Sequence, residues 1–230
     1  MSAPSSAKSA ILGKIRRSLG SAANDEGLEQ RKAAVAERLS KRDRGILPAR
    51  GQIEHEAQVQ MFLDYAEKAA STVNRIADYD ALPAAIGAYL RGRNLPQQIR
   101  TGSDPRLASA NWASEPQLER KVGPSDGTDL VGVTHALGGV AETGTAIFLS
   151  GPDNPTTLNF LPEDHIIVVH ADDIAGDYES VQERLRDEQG VSQMPRVINR
   201  VTGPSRSGDI EQTILLGAHG PRSVHVIVVG

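Results

Sequence analysis

Two apolar stretches constrain this chain more than anything else in it: HIIVVH at His165–His170 and SVHVIVV at Ser223–Val229. The first is too apolar for an open sheet edge, and the second alternates and then runs apolar, as a buried strand does. Shorter runs at Thr72–Ile76, Gln98–Thr101, Leu130–Thr134, Ala146–Leu149 and Arg196–Thr202 read as further strands. Between them lie helical stripes. From Gln52 onward Val59, Phe62, Ala66 and Ala69 share a face; Leu82, Ala85, Ile86, Tyr89 and Leu90 form another, closed by Gly92; Tyr178, Val181 and Leu185 form a third. Helix alternating with strand at these spacings predicts a layered α/β fold with a largely parallel sheet. Asn111–Pro124 reads as irregular, with Trp112 as a packing residue, and the segment from Gly151 to His165 as a loop.

The charge is unevenly spread. Residues 1–50 carry 11 Lys+Arg against 5 Asp+Glu, a net of +6, and the remainder carries 14 against 24, a net of −10. Ala7–Leu19 is predicted to be a short amphipathic helix with Ile11, Leu12, Ile15 and Leu19 on one side. A linker, SAANDEG, precedes a weakly apolar helix at Glu29–Lys41. Residues 1–50 are therefore expected to form a basic helical arm, and residues 51–230 the body. Such an arm suits an acidic partner, or is simply a solvated helix face. With three Phe, one Trp and four Tyr there is no stacking platform for single-stranded nucleic acid, and no nucleic-acid partner is expected. No apolar run reaches membrane-spanning length, and the first 20 residues lack a secretory core, so a cytoplasmic protein is expected. The absence of cysteine removes thiol catalysis and cysteine-ligated iron–sulfur clusters.

Chemistry concentrates in two turns. Gly203–Pro221, GPSRSGDIEQTILLGAHGP, is predicted to be a tight loop followed by a helix, because Ile210, Ile214 and Leu215 recur at helical spacing and Gly217 can stop it. Gly203, Ser205, Arg206, Ser207, Gly208 and Asp209 would then crowd a helix start, where free N–H groups and an arginine fork favour a small anion. The same residues also suit ordinary capping, with Asp209 as cap and Gln212 completing a capping box. In the second turn Glu142 stands beside Thr143, Gly144 and Thr145, where glycine lets a substrate approach the backbone. Glu142 is a candidate general base or nucleophile, or else a turn glutamate bonded to nearby N–H groups. His219, at an expected sheet rim, is the candidate to act with it, or a cap for the preceding helix. His165 and His170 lie an odd number of residues apart and face opposite ways, so no metal site is expected. Neither nucleotide-binding glycine fingerprint occurs, and no cofactor is expected.

AETGT at Ala141–Thr145, LPEDHIIVV at Leu161–Val169, GPSRSGDIE at Gly203–Glu211 and GAHGP at Gly217–Pro221 occur in that order. Together they resemble the lactate-utilisation (LUD) domain, and nearly the whole chain is similar to its LutC/YkgG branch. The resemblance implies the three-layer, mostly parallel α/β fold of glucosamine-phosphate deaminases, ribose-phosphate isomerases and CoA transferases. It implies a role in oxidising L-lactate to pyruvate beside iron–sulfur partner proteins, here as a non-redox component or accessory subunit. The alternative is a free-standing enzyme on a small carboxylate, phosphate or CoA-linked substrate, using the anion-binding turn. The resemblance supplies no catalytic residues.

Overall fold

The computed structural model describes residues 7–18, 25–41, 44–189, 195–210 and 213–230. It divides into two units, Met1–Gly45 and Ile46–Gly230. The first contains α1 (Ala7–Ser18) and α2 (Asp25–Lys41). Ile11, Leu12 and Ile15 of α1 are 60%, 40% and 47% exposed, and Leu19, expected on the same stripe, lies outside the described residues.

The second unit begins with α3 (His55–Lys68), β1 (Thr72–Ile76), α4 (Leu82–Gly92), β2 (Gln98–Thr101) and the single turn α5 (Pro105–Ala108). It continues through β3 (Glu119–Val122), β4 (Val131–His135), β5 (Gly138–Val140), β6 (Thr145–Leu149) and a short α6 (Thr157–Phe160). Then come β7 (Asp164–His170), β8 (Ile174–Ala175), α7 (Tyr178–Gln189), β9 (Ile198–Val201), β10 (Arg206–Ile210), β11 (Thr213–Leu216) and β12 (Ser223–Val229).

Six strands form one parallel sheet in the order β1-β12-β7-β4-β2-β3. The two most apolar runs, β12 and β7, lie side by side near its middle, which is why both faces of each are apolar. Period-two alternation sorts their side chains. Ile166, Val168, Ile227 and Val229 meet Leu82, Ile86 and Leu90 of α4 on one face. Ile167, Val169, Val226 and Val228 meet Val59, Phe62 and Ala66 of α3 on the other. A second, mixed sheet, β8-β5-β6-β9, shares the α3 side and inserts Ala146 and Phe148 into that core. Val181 of α7 closes over its far face against Val140 and Ile147. The result is a three-layer α/β architecture.

Three expectations need correcting. The stretch after Gly203 is not a helix: β10 and β11 form an antiparallel hairpin, with Arg206 opposite Leu216 and Ser207 opposite Leu215. Thr213, Ile214 and Ile210 are β-branched, and an apolar run this short fits either period, so pairing decides. Glu211 and Gln212, the latter expected to complete a capping box, lie outside the described residues. Within Asn111–Pro124 the polar run Glu119–Val122 is strand β3, at an edge where charged side chains are usual and hydrophobic periodicity gives no signal. Inside the expected loop after Gly151, Thr157–Phe160 makes one helical turn.

Candidate functional site

The AETGT turn links β5 to β6. Ala141 N–H donates to Ala175 O at 2.8 Å and Glu142 N–H to Gly176 O at 3.3 Å, which ties the turn to the end of β8. Gly144 has φ +63°, and a Cβ there would lie 2.4 Å from the Ala66 nitrogen, so only glycine lets the turn sit on α3. Glu142 is buried, and its Oε2 faces Nε of the half-exposed Arg50 at 3.2 Å. Thr145 is the centre of a hydroxyl cluster. Its Oγ1 lies 2.7 Å from that of Thr143 and 2.6 Å from that of Thr202, and Tyr178 O–H donates to it at 2.9 Å. Thr143 O–H in turn donates to the Tyr178 oxygen at 3.2 Å, so Tyr178, Thr145 and Thr143 close a ring in which each gives one hydrogen.

Thr202 brings that cluster to the start of the Gly203–Asp209 segment. With a hairpin in place of a helix, the expected helix start does not exist there. Ser205 instead closes the hairpin's base. Its N–H donates to Pro221 O at 2.9 Å, its carbonyl accepts from Gly217 N–H at 3.0 Å, and its Oγ accepts from His219 N–H at 3.3 Å. Arg206 is exposed and donates to Ala69 O at 2.6 Å. Ser207, Gly208 and Asp209 continue β10. His219 is exposed and lines an open groove of about 690 Å³ with Phe160, Leu161, Leu216 and Arg222. The fold thus brings Ser205 to His219 and Thr145 to Thr202. Glu142 and His219 stand apart, one in the second sheet's turn beside Arg50, the other in the turn entering β12.

A further site lies at the carboxyl end of the parallel sheet, where open α/β folds hold their ligands. Parallel pairing gathers the residues following β1, β2, β4 and β7 on one rim. His135, the last residue of β4, is 1% exposed. Its Nδ1 lies 2.7 Å from Ala136 O, and a carbonyl only accepts, so Nδ1 carries the hydrogen. Nε2 therefore accepts, from the Tyr79 hydroxyl at 2.8 Å. Burial pushes His135 down to about 4, and the charge of Arg106 acts in the same direction. Burial likewise pushes Tyr79 up to about 12. Both are neutral at pH 7. His170, ending β7, stacks on the Tyr79 ring with centroids 6.1 Å apart.

Beside this pair, Arg106 donates through Nε and Nη2 to Asp104, each at 3.3 Å, and through Nη1 to Asp173 at 3.2 Å. Asp173 also accepts from Arg184 at 2.7 Å. Burial raises the Asp104 carboxyl, but the hydrogen bond from Arg106 and the nearby positive charges outweigh it and hold it below the usual range. The segment after β6 walls the site. Asn154 Nδ2 donates to His135 O at 3.2 Å, Ser103 O–H donates to Asp153 Oδ1 at 2.6 Å, and a Cβ on Gly102 would lie 2.1 Å from Asp153 O. Asp104, Arg106, His135, Ser150, Asp153 and Asn154 line an open cavity of about 400 Å³.

In the sequence this rim shows only as a histidine ending an apolar strand and a Gly-Ser-Asp-Pro turn directly after another, neither diagnostic before the sheet order is known. Among the described residues no group of three or more His, Asp or Glu side chains could hold a metal ion. Nor is any helix among them long and apolar enough to cross a membrane.

Comparison with known proteins agrees with this architecture. Lactate utilization protein C of Bacillus subtilis is 34% identical over 172 residues, covering 66% of this chain and 68% of that protein. An uncharacterized protein of Neisseria meningitidis serogroup B, NMB1437, is 31% identical over 152 residues, 64% of each chain. Lactate utilization protein C of Geobacillus sp. is 33% identical over 100 residues, 43% of this chain and 42% of that one. In the last two the match spans less than two thirds of the relative's own length. The crystal structure of a DUF162 family protein from Deinococcus radiodurans shares the fold, with TM-score 0.58 and 19% identity, covering 77% of this chain and 99% of that one. The LUD domain itself matches residues 59–229, nearly all of the second unit, and the chain belongs to that lactate-utilisation family.

Proposed function

We propose that this chain serves the oxidation of L-lactate to pyruvate as a component without an iron–sulfur centre of its own, acting beside iron–sulfur partner proteins. The observation that carries this reading is compositional. Several relatives bear the name Lactate utilization protein C, yet this chain of 230 residues has no cysteine with which to ligate a cluster. Electrons leaving lactate would then pass through cysteine-bearing partners. The exposed Ile11, Leu12 and Ile15 on a basic arm support docking through that arm. The test pairs genetics with copurification. Deleting the gene is expected to impair growth on lactate but not on glucose, and the tagged chain is expected to retain cysteine-rich proteins from lactate-grown cells. Normal growth on lactate, with no second copy of the gene present, overturns the reading.

A second reading rests on the bond from His219 N–H to Ser205 Oγ, which ties the turn of His219, at an open groove, to the residue before Arg206. In it the segment Gly203–Asp209 holds a small carboxylate or phosphate with His219 as the chemical group, Glu142 standing apart beside Arg50. Stabilisation of the isolated chain by phosphate or pyruvate, lost in Arg206→Ala, supports this reading. Equal stabilisation in that variant removes it.

A further inference from the structure

The carboxyl-end cavity has a donor and acceptor pattern that specifies a ligand class, independently of the lactate reading. Arg106 is its cation, but three of that guanidinium's five N–H groups are spent on Asp104 and Asp173. Arg184 balances the second of these carboxylates, so the four charges cancel. Asp153, on the facing wall, leaves a surplus carboxylate. A free carboxylate or phosphate at Arg106 would accept hydrogen bonds, which suits the guanidinium, but would lie against Asp104 in a partly desolvated site where like charges repel strongly.

The remaining polar groups offer both roles. Ser150 Oγ accepts from Val197 N–H at 2.9 Å and keeps its own hydrogen to donate. Asp153 Oδ2 remains open as an acceptor, because Ser103 uses Oδ1, and Asn154 Oδ1 is likewise open, because Nδ2 is the atom turned to His135. Two N–H groups of Arg106 remain to donate. Leu137, Leu149 and Pro152 cover the rest with apolar surface. Adjacent hydroxyls on a carbon frame donate and accept at once and carry an apolar C–H face, which matches this lining.

We propose that the cavity between the Gly102–Arg106 turn and the Ser150–Asn154 segment binds an uncharged ligand through a vicinal diol, that of a free sugar or of a nucleoside's ribose. Asp153 Oδ2 and Asp104 Oδ2, which takes only one N–H of Arg106, accept from the two hydroxyls, and Arg106 and Ser150 donate to them.

The test uses the full chain, labelled with ¹⁵N and titrated with D-ribose, uridine, 2′-deoxyuridine, L-lactate and inorganic phosphate. Ribose or uridine is expected to shift the backbone signals of Gly102–Arg106 and Ser150–Asn154, and 2′-deoxyuridine is not. A response to uridine alone assigns a nucleoside, and a response to ribose assigns a sugar. Leu149→Trp, which fills the cavity, is expected to abolish the response. Asp104→Asn keeps a capping oxygen but removes a charge. It is expected to weaken diol binding about tenfold and to let L-lactate bind where the wild type did not. Wild-type binding of lactate or phosphate without the diols, equal binding of 2′-deoxyuridine, or silence from every probe would each overturn the proposal. None of these outcomes touches the growth phenotype, which tests the lactate reading separately.

Discussion

The Tyr79 hydroxyl donates to Nε2 of His135 across 2.8 Å, joining the turn after β1 to the last residue of β4. It spans the strands between them and leaves neither ring a free proton acceptor of ordinary basicity. Tyr79→Phe removes the donor and leaves a buried nitrogen unpaired, so it is expected to destabilise by about 1–3 kcal/mol. That is a fall in Tm of roughly 2–10 °C. Nitrogen chemical shifts of His135 are expected to show Nδ1 protonated at neutral pH. Protonation at Nε2 would reverse the direction of this bond.

Acid stability is the second expectation. His135, His165 and His225 are all buried, and burial pushes them to about 4, about 3 and about 4. In the unfolded chain each titrates near 6.5, so below that pH the unfolded state binds protons that the folded state refuses. Their contribution is complete above about pH 6.5 and is lost as pH falls towards 4. Each proton adds about 1.4 kcal/mol per pH unit, so three together approach about 4 kcal/mol per unit. Asp104, held below its usual range, extends the loss to lower pH. Urea unfolding at about pH 7 and about pH 5 should therefore differ by several kcal/mol, and equal midpoints would contradict the burial of these rings.

The AETGT turn makes a sharper structural demand. Gly144→Ala places a Cβ 2.4 Å from the Ala66 nitrogen at φ +63°, so the backbone itself must shift. The unfavourable conformation alone costs about 1–3 kcal/mol. Gly92→Ala at the end of α4 meets nothing within 4 Å and serves as the control, neutral or slightly stabilising. Thermal melts of the two variants decide the matter: similar Tm values would mean that the turn does not rest on α3.

Strands β7 and β12 could be read because both of their faces are buried, so every position in them is apolar or packed. The stripe of α4 could be read because Leu82, Ile86 and Leu90 face one core. Edge strand β3 could not, since Glu119, Arg120 and Lys121 need no apolar partner at an edge. The hairpin reads as a helix in the sequence because Ile210, Ile214 and Leu215 satisfy a helical period, but over too few residues for the period to decide. Thr145 meeting Thr202, or Tyr79 meeting His135, depends on strand order, and order is a long-range property that no local window contains. The motif residues were visible as unusual turns, but which of them touch was not.

The two-unit division yields the last expectation. The three core clusters of the second unit draw on residues from Val59 to Val229. Residues 1–45 bring α1 and α2, whose Val35 and Leu39, like Ile11 and Ile15, are about half exposed or more. Removing side chains this exposed changes stability by little, about 0.5 kcal/mol either way. A chain starting at Ile46 is therefore expected to melt within a few degrees of the full protein and to keep the near-ultraviolet signal of Trp112, whose indole N–H donates to Leu107 O at 2.7 Å within the body. The same truncation removes 10 Lys+Arg against 5 Asp+Glu, a net charge of +5, so retention of an acidic partner by the full chain is expected to weaken with salt, and the truncated chain should not retain it. If the truncated chain aggregates or loses the Trp112 signal, the arm belongs to the folding unit rather than to a docking surface.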